Sequence, residues 1–523
     1  MGQKGPFVHI PLSVSLFAEF LFSLSHLFFS RPFLLLLLPR DTMAQNKLAK
    51  DLETALDAVN LEPLAPTLTP LMDEALAETN QASYRRGTFL RPKVLLWLVL
   101  ALTIRRDLNY HAVLNWMLST WRWLTLAWPA QLLQDGAISH ARVKLGVRVL
   151  VVLFQKVVLL FTAIEADFHG LVTVIFDGTT LRMPDTVSNR DHFGKHRAGR
   201  GDSGFPLMRV MALMVRAGRF IVDVALAPIA GKGTGERTLM QQILQRLPLQ
   251  NALLLFDAGF YSFILVHHLY QKHHHFLMKI SPSIKRTVVP DGLLPDGSYL
   301  ALIQGKIEEG DAPPGRRKRY RHLQYLVRVI DVHLPGFRPF RLITSLLDTS
   351  LSAVEIARHY HQRWDLEIGY DEIKTHQCAT LRGQAPTPLR SKRADLIQQE
   401  LYALLIVYNL TRWVMFQAAH EQGGDPLQLS FLDTLHWIVE AVGQMGPSTP
   451  QQRIAQQRYL HRLIVQSTID RPRRSRINPR VIKIKSSKFK VKRKAHQSQR
   501  IDYEQELQIL PPSQIESRHD KAA

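Results

Sequence analysis

The sequence predicts a mixed α/β fold: a core of alternating strands and helices, interrupted by a β-rich insertion, preceded by a helical N-terminal region and followed by a helical and basic C-terminal region. Three observations predict it. Two short apolar runs, residues 172–176 and 252–256, are bounded by turn residues and separated by a hairpin and a helix, as buried strands are. Apolar residues between 46 and 164 recur mostly at helical spacing. Residues 282–345 change character, with Pro and Gly turns between β-favouring runs such as 325–330.

A chain of 523 residues is long enough for several domains with real cores, and a hydrophobic share of 46% is ordinary for globular protein. The charge is not ordinary. Lys and Arg number 66 against 44 Asp and Glu, a net +22. Such an excess points to a polyanion, either nucleic acid or an acidic membrane surface. The single cysteine, Cys378, rules out an internal disulfide and any Cys-based zinc site. Nothing therefore suggests an oxidising compartment, and the expected location is cytoplasmic and nucleoid-associated.

Taken in order, residues 1–42 stand apart. They are rich in Leu, Phe and Ser, but the uncharged runs 20–30 and 32–39 are too short to span a bilayer. No clean small-residue cleavage site marks a signal peptide. Met43 opens a polar helix start, so Met43 is expected to be the initiator and 1–42 an upstream extension or hydrophobic leader. Residues 43–168 read as a helical DNA-binding domain, with Asn46 and Ser139 as N-caps and an apolar helix at 94–104. The helix at 138–146 offers Ser139, His140, Arg142 and Lys144 in its first turns; it fits DNA and a capped surface helix about equally well.

Residues 169–281 read as the first part of the core. Strand 172–176 ends in Asp177-Gly178-Thr179-Thr180, a hairpin joins 207–215 to 220–227, and a helix covers 235–247. Strand 252–256 ends in Asp257-Ala258-Gly259, followed by a helix at 262–270 and a strand at 276–280. The β-rich insertion, 282–345, comes next. Residues 346–420 form the second part of the core, with a long helix starting at Ser352 and another at 389–415. In 421–523 helices give way to a basic run, 471–494, with twelve Lys or Arg and no acid. Its two readings are a solvated tail and a phosphate-binding arm; the overall charge favours the arm.

The stretch from His359 to Lys374 carries the chemistry. At roughly 100° per residue, Tyr360, Arg363, Glu367 and Lys374 fall within about 60° of one another on one helix face. A core-facing stripe would be apolar. This one holds a ring, a carboxylate and two cations, which suits a place where a metal ion and phosphates meet; alone, it also suits a solvated face of ion pairs. Asp365, Asp371 and Glu372 fall off this face and are expected in solvent, and Trp364 in packing. The two strand-ending carboxylates, Asp177 and Asp257, change the balance. With Glu367 they make an oxygen-only donor set suited to magnesium or manganese. Two such ions can activate a water or 3′-hydroxyl and stabilise the leaving oxygen of a phosphodiester. The element order is that of a ribonuclease-H-like sheet. The histidines at 267, 268 and 273–275 lack a Cys or acid among them and make a poor zinc site.

The spacing Tyr360-x2-Arg363-x3-Glu367-x6-Lys374 resembles the signature of bacterial insertion-sequence DDE transposases of the insertion element 4 type. Asp177-Gly178-Thr179 and Asp257-Ala258-Gly259-Phe260 resemble that family's two aspartate motifs. Leu389-Arg390-Ser391-Lys392, Gln399-Glu400-Leu401 and Tyr408-Asn409 resemble its helix after the glutamate. Ser139-His140-Ala141-Arg142 and Pro479-Arg480-Val481 resemble its two ends, while residues 1–42 have no counterpart. The resemblance implies cut-and-paste DNA transposition, with Asp177, Asp257 and Glu367 catalytic and holding two Mg2+ or Mn2+ ions. It implies that Tyr360, Arg363 and Lys374 hold the phosphates and an unstacked base of the transposon end. Arg480, Lys483 and Lys485 would add phosphate contacts. Expected partners are terminal inverted repeats, target DNA and a second copy of the chain, with no stable membrane partner. Rival readings are a nuclease without strand transfer, a DNA-binding protein that has lost catalysis, and a membrane-associated protein anchored through 7–38.

Overall fold

Strand β1, Val172–Arg182, is the element from which the sheet is laid out. The structure is a computed structural model. It describes residues 68–84, 90–114, 135–161, 166–198, 201–247, 251–309, 319–335, 338–378, 388–444, 450–469, 476–477, 499–500 and 503–510. The expectations for residues 1–42, Met43, Asn46, Arg480, Lys483 and Lys485 lie outside the described residues. Among the described residues no helix is long and apolar enough to cross a membrane. The chain forms two units, one of residues 1–165, 178–245 and 368–468, the other of 166–177, 246–367 and 469–523.

The second unit is built on a sheet. The first half of β1 pairs in parallel with β5, Ala252–Phe256, all five of whose residues are buried. In turn β5 pairs in parallel with β6, His275–Ile280. Between them runs the helix Phe263–Gln271, started by Ser262, whose side chain accepts from Leu265 N–H. A parallel pair needs such a crossover, and burial on both faces explains the unbroken Leu run in β5. Four antiparallel strands extend the same sheet. They are β7 (Arg286–Leu293), β8 (Tyr299–Glu308), β9 (Tyr320–His333) and β10 (Phe340–Thr344), with β10 lying between β6 and β9.

In the first unit, β2 (Lys195–Ala198) and β4 (Phe220–Pro228) both pair with β3 (Gly201–Val215), the strand that neighbours β1. The β3–β4 hairpin turns where the sequence places it, with Val215 opposite Phe220. Around it stand the helices Leu68–Glu78, Pro92–Ile104, Asp135–Leu145, Arg148–Leu159 and Ala394–Gln422. The last carries the expected buried stripe, Leu396, Leu401, Leu404, Leu405 and Tyr408, and ends at Gly423 with a left-handed φ of 74°.

Three sequence expectations fail here for identifiable reasons. Ser139 is not an N-cap, because the turn before it, from Asp135, is already helical. Arg142 is fully buried and bonds Gln399 and the Tyr110 hydroxyl, so it is not offered to DNA. The helix expected from 389 starts only at Ala394, because Glu400 reaches back and accepts from the N–H groups of Arg390 and Ser391. Those donors are thereby satisfied outside a helix.

Glu400 is the hub of this corner. It also pairs with Arg106 at 3.1 Å. Arg390 donates to the carbonyls of Leu102, Arg106 and Leu108, satisfying the C-terminal end of the helix Pro92–Ile104. Burial would raise the Glu400 pKa, but Arg106, Arg390 and Ser391 outweigh it and hold the carboxyl below its ordinary value of 4.5. Glu400→Ala is expected to lower the unfolding free energy in urea by about 3–5 kcal/mol, because two buried guanidinium groups lose their counter-ion. A depressed carboxyl stabilises the fold above its unfolded pKa and ceases to do so as pH falls through its folded one. The gap between wild type and variant should therefore narrow only in acid below the ordinary glutamate range.

Candidate active site

Two of the three carboxylates are brought together by strand register. Ile175 lies opposite Leu255 in the parallel β1–β5 pair, so the next residues along are level: Phe176 with Phe256, and Asp177 with Asp257. The two phenyl rings stack on one face, centroids 5.2 Å apart and planes 9° from parallel. Alternation along a strand sends the two aspartates to the other face. Beyond Phe256 the strand stops, and Asp257 leads into a single tight turn, Ala258–Phe260. Asp177, in contrast, sits within β1 rather than at its tip as the sequence suggested, because β1 continues to Arg182.

The third carboxylate comes from a helical stretch that is segmented, not uniform. Ser352 caps the helix Ala353–His361 by accepting from Glu355 N–H. A 3-10 turn, Gln362–Trp364, an α segment, Asp365–Asp371, and a π turn, Glu372–Gln377, follow. Arg363 sits in the tight turn, buried, and its guanidinium is the meeting point. It donates to Glu367 Oε1 at 3.3 Å and stands 3.8 Å from Asp177 Oδ2. Burial works against its charge, but Tyr360 and the carboxylates of Asp257, Asp177 and Glu367 outweigh this and raise its pKa. Glu367 is raised by burial and by its acidic neighbours, against the pull of Arg363.

Tyr360 is buried. Its hydroxyl donates to the carbonyl of Phe256 at 3.1 Å, which ties the helix to the strand end just before Asp257. Burial pushes its pKa well up. It is thus placed behind the carboxylates and not on an open face. Lys374, half-buried on the π turn, hydrogen-bonds Thr179, two residues along β1 from Asp177.

The expectation that the acids beside Glu367 are solvated is corrected. Asp365 and Glu372 are buried, and Asp371 is half-buried and holds the Thr375 hydroxyl. Glu372 faces Arg219 at 3.2 Å and Arg412 at 3.5 Å, and accepts from the Tyr408 hydroxyl at 3.1 Å. Trp364, expected in packing, is 40% exposed, with the Arg363 guanidinium 5.3 Å from its ring. The sequence reading assigned none of these groups to the Lys374 end of the site, although Tyr408 belongs to a motif it singled out.

Among the described residues no three His, Cys, Asp or Glu side chains are gathered tightly enough to hold a metal ion as they stand. That includes the histidines near 270, where His267 hydrogen-bonds Tyr325. It also includes the acidic trio, which converges on Arg363. The donor chemistry nonetheless fits a hard divalent cation: oxygen ligands only, with mutual repulsion that a cation relieves.

Comparison with known proteins bears directly on this arrangement. Residues 169–410 match the family described as Transposase DDE domain, and residues 59–155 match Insertion element 4 transposase N-terminal. The two matches, in this order along the chain, support an insertion element 4 type of DDE transposase. Transposase InsG for insertion sequence element IS4, from Escherichia coli strain K12, is 26% identical over 465 residues, covering 86% of this chain and 98% of that protein. A solved piggyBac transposase synaptic complex with hairpin DNA overlays at a TM-score of 0.40, with 10% identity, over 78% of this chain and 83% of that one. A likeness that loose supports no comparison of residues.

In this chain the four signature residues are anchored in two ways. Tyr360, Arg363 and Glu367 are tied to β1 and β5, whereas Lys374 rides on a turn fixed from below by Glu372 and Tyr408. Gly369 lies between. A Cβ there would stand 2.5 Å from Met214 Cε and 2.9 Å from the Tyr408 hydroxyl. Methionine can move aside, but the hydroxyl is held by Glu372 and by the carbonyl of Arg219. Helix propensity alone would favour Gly369→Ala by about 1 kcal/mol. Overpacking against a fixed group is expected to win, giving a net loss of about 1–3 kcal/mol in a denaturant titration.

Proposed function

We propose that this chain moves an insertion sequence by cutting DNA at the element's ends and joining the freed strands to a target, using Asp177, Asp257 and Glu367 as its catalytic carboxylates. The observation that carries the reading is the shared register of β1 and β5, which sets two aspartates side by side, with Glu367 joined to Asp177 through one guanidinium. The parallel pairing of β1 with β5 and of β5 with β6 is that of a ribonuclease-H-like sheet and supports that finer fold assignment. On this reading residues 43–168 form an N-terminal DNA-binding domain, 169–281 and 346–420 the two parts of the core, 282–345 an insertion, and 421–523 a C-terminal DNA-contacting region.

The three carboxylates would hold divalent ions, Mg2+ or Mn2+, two per site. When bound, such ions lower the pKa of an attacking water or hydroxyl and neutralise charge on the leaving oxygen. The protein does the rest by position. Paired strands hold both aspartates, Asp177 within β1 and Asp257 directly after the last residue of β5. Tyr360 pins the Phe256 carbonyl and keeps the helix at a fixed distance from β5. Arg363 and Lys374 supply cations for the DNA phosphates, contacts that fix register along the duplex without reading its sequence. Two phosphodiester reactions follow in order: water hydrolyses the strand at the transposon end, and the freed 3′-hydroxyl then attacks a phosphate, finally in target DNA. The partners are the terminal repeats, the target duplex and a second copy of the chain that pairs two ends.

Asp177→Ala, Asp257→Ala and Glu367→Ala are each expected to abolish cleavage of a transposon-end duplex and its transfer into a supercoiled target, while band-shift affinity for the end changes by less than about tenfold. Retained cleavage in any one of them would remove that residue from the site. Cleavage without joined product in the wild type would leave a nuclease.

A further inference from the structure

Arg363 is related to the acidic trio in a way that its role at the phosphates does not explain. Its side chain is 8% exposed, against 21% for Asp177 and 40% for Glu367. The guanidinium therefore lies deeper than the two carboxylates it touches, with its Nη2 on Glu367 and its Nη1 facing Asp177. The face of Trp364, exposed and adjacent, is 5.3 Å from the guanidinium carbon. A phosphate-binding arginine that waits in solvent has no need of such a setting.

We propose that Arg363 is a built-in counter-cation that occupies the carboxylate cluster before divalent ions do and is handed over to a DNA phosphate when they arrive. The inference rests on the carboxylate site proposed above. Like charges this close need a partner, and one guanidinium meets that need for Asp177 and Glu367 together. A divalent ion competing for the same oxygens has to displace it. Once displaced, the Arg363 guanidinium exchanges its carboxylate partners for a phosphate of the transposon end, with the Trp364 face as an intermediate resting place. Ion binding and end binding then assist each other. Linkage makes this reciprocal: whatever factor the ion gives to DNA affinity, DNA gives to ion affinity.

Arg363→Gln keeps a planar hydrogen-bonding group and removes the charge. The test uses the full chain, Ca2+ as a divalent probe read by calorimetry, and a labelled transposon-end duplex read by anisotropy. In the absence of DNA, the variant should bind Ca2+ more tightly than wild type, on the order of tenfold. Saturating Ca2+ should tighten end binding by wild type several-fold and leave the variant's end affinity unchanged. Arg363→Lys, which restores the charge without the fork, should return Ca2+ affinity towards the wild-type value. Equal or weaker Ca2+ binding by Arg363→Gln, with a native circular dichroism spectrum, would overturn the proposal and make Arg363 a scaffold for Glu367. Asp257→Asn separates the two levels. Loss of Ca2+ binding in it supports the carboxylate site whatever Arg363 does, and unchanged binding overturns the site itself.

Discussion

The constraint on which everything else depends is the register of two parallel strands. Side chains alternate along a strand, so slipping β5 by one residue against β1 would replace Asp257 with a neighbour pointing the other way. The stacked rings of Phe176 and Phe256 resist that slip from the opposite face. All five residues of β5 are buried, so a slip would not expose them to water; it would mismatch their packing against the neighbouring strands and helices. The placing of Asp177 beside Asp257 thus depends on the apolar residues that precede them in the two strands.

Charge in this protein is organised differently inside and out. The net +22 is a property of the whole chain, and it explains attraction to a polyanion. Within the core, charges occur in closed sets. Glu400 is enclosed by Arg106 and Arg390, Glu372 by Arg219 and Arg412, and Asp331 by Arg341. Each set would be costly if broken, because a single buried charge has no water to replace its partner. They hold the frame of the molecule in place while the trio around Arg363 stays partly open to solvent.

The strands and the hairpin were legible in the sequence because apolar runs, turn residues and crossover lengths all pointed to the same elements. The segment after Ser352 was legible as helical but not in its detail. An ideal wheel turns every residue by the same angle, whereas a 3-10 turn at Gln362–Trp364 advances faster and a π turn at Glu372–Gln377 more slowly. Faces drawn on the ideal wheel therefore drift. Glu372 read as solvated for a further reason: a wheel does not show what covers the opposite face, and here Arg219, Arg412 and Tyr408 lie against it. Arg390, Glu400, Tyr408 and Asn409 were visible as motifs, but their work is internal: Asn409, for instance, pairs both amide atoms with the backbone of Ile221. Residue type alone does not distinguish such an internal clamp from a ligand contact; only the partner does.

The helix Pro92–Ile104 has a consequence for how the protein is made. From Lys93 to Thr103 every residue of it is buried, so it has no water-loving side. The helix it packs against, Ala394–Gln422, is synthesised roughly 290 residues later. At ribosomal speeds of ~5–20 residues per second, that is a delay of tens of seconds. Two other helices that touch it, Leu68–Glu78 and Asp135–Leu145, are made before it or soon after, so only the face towards the long helix waits for its cover. The first unit therefore closes late in synthesis, and until then that face is the part of the nascent chain with most to gain from a holding chaperone.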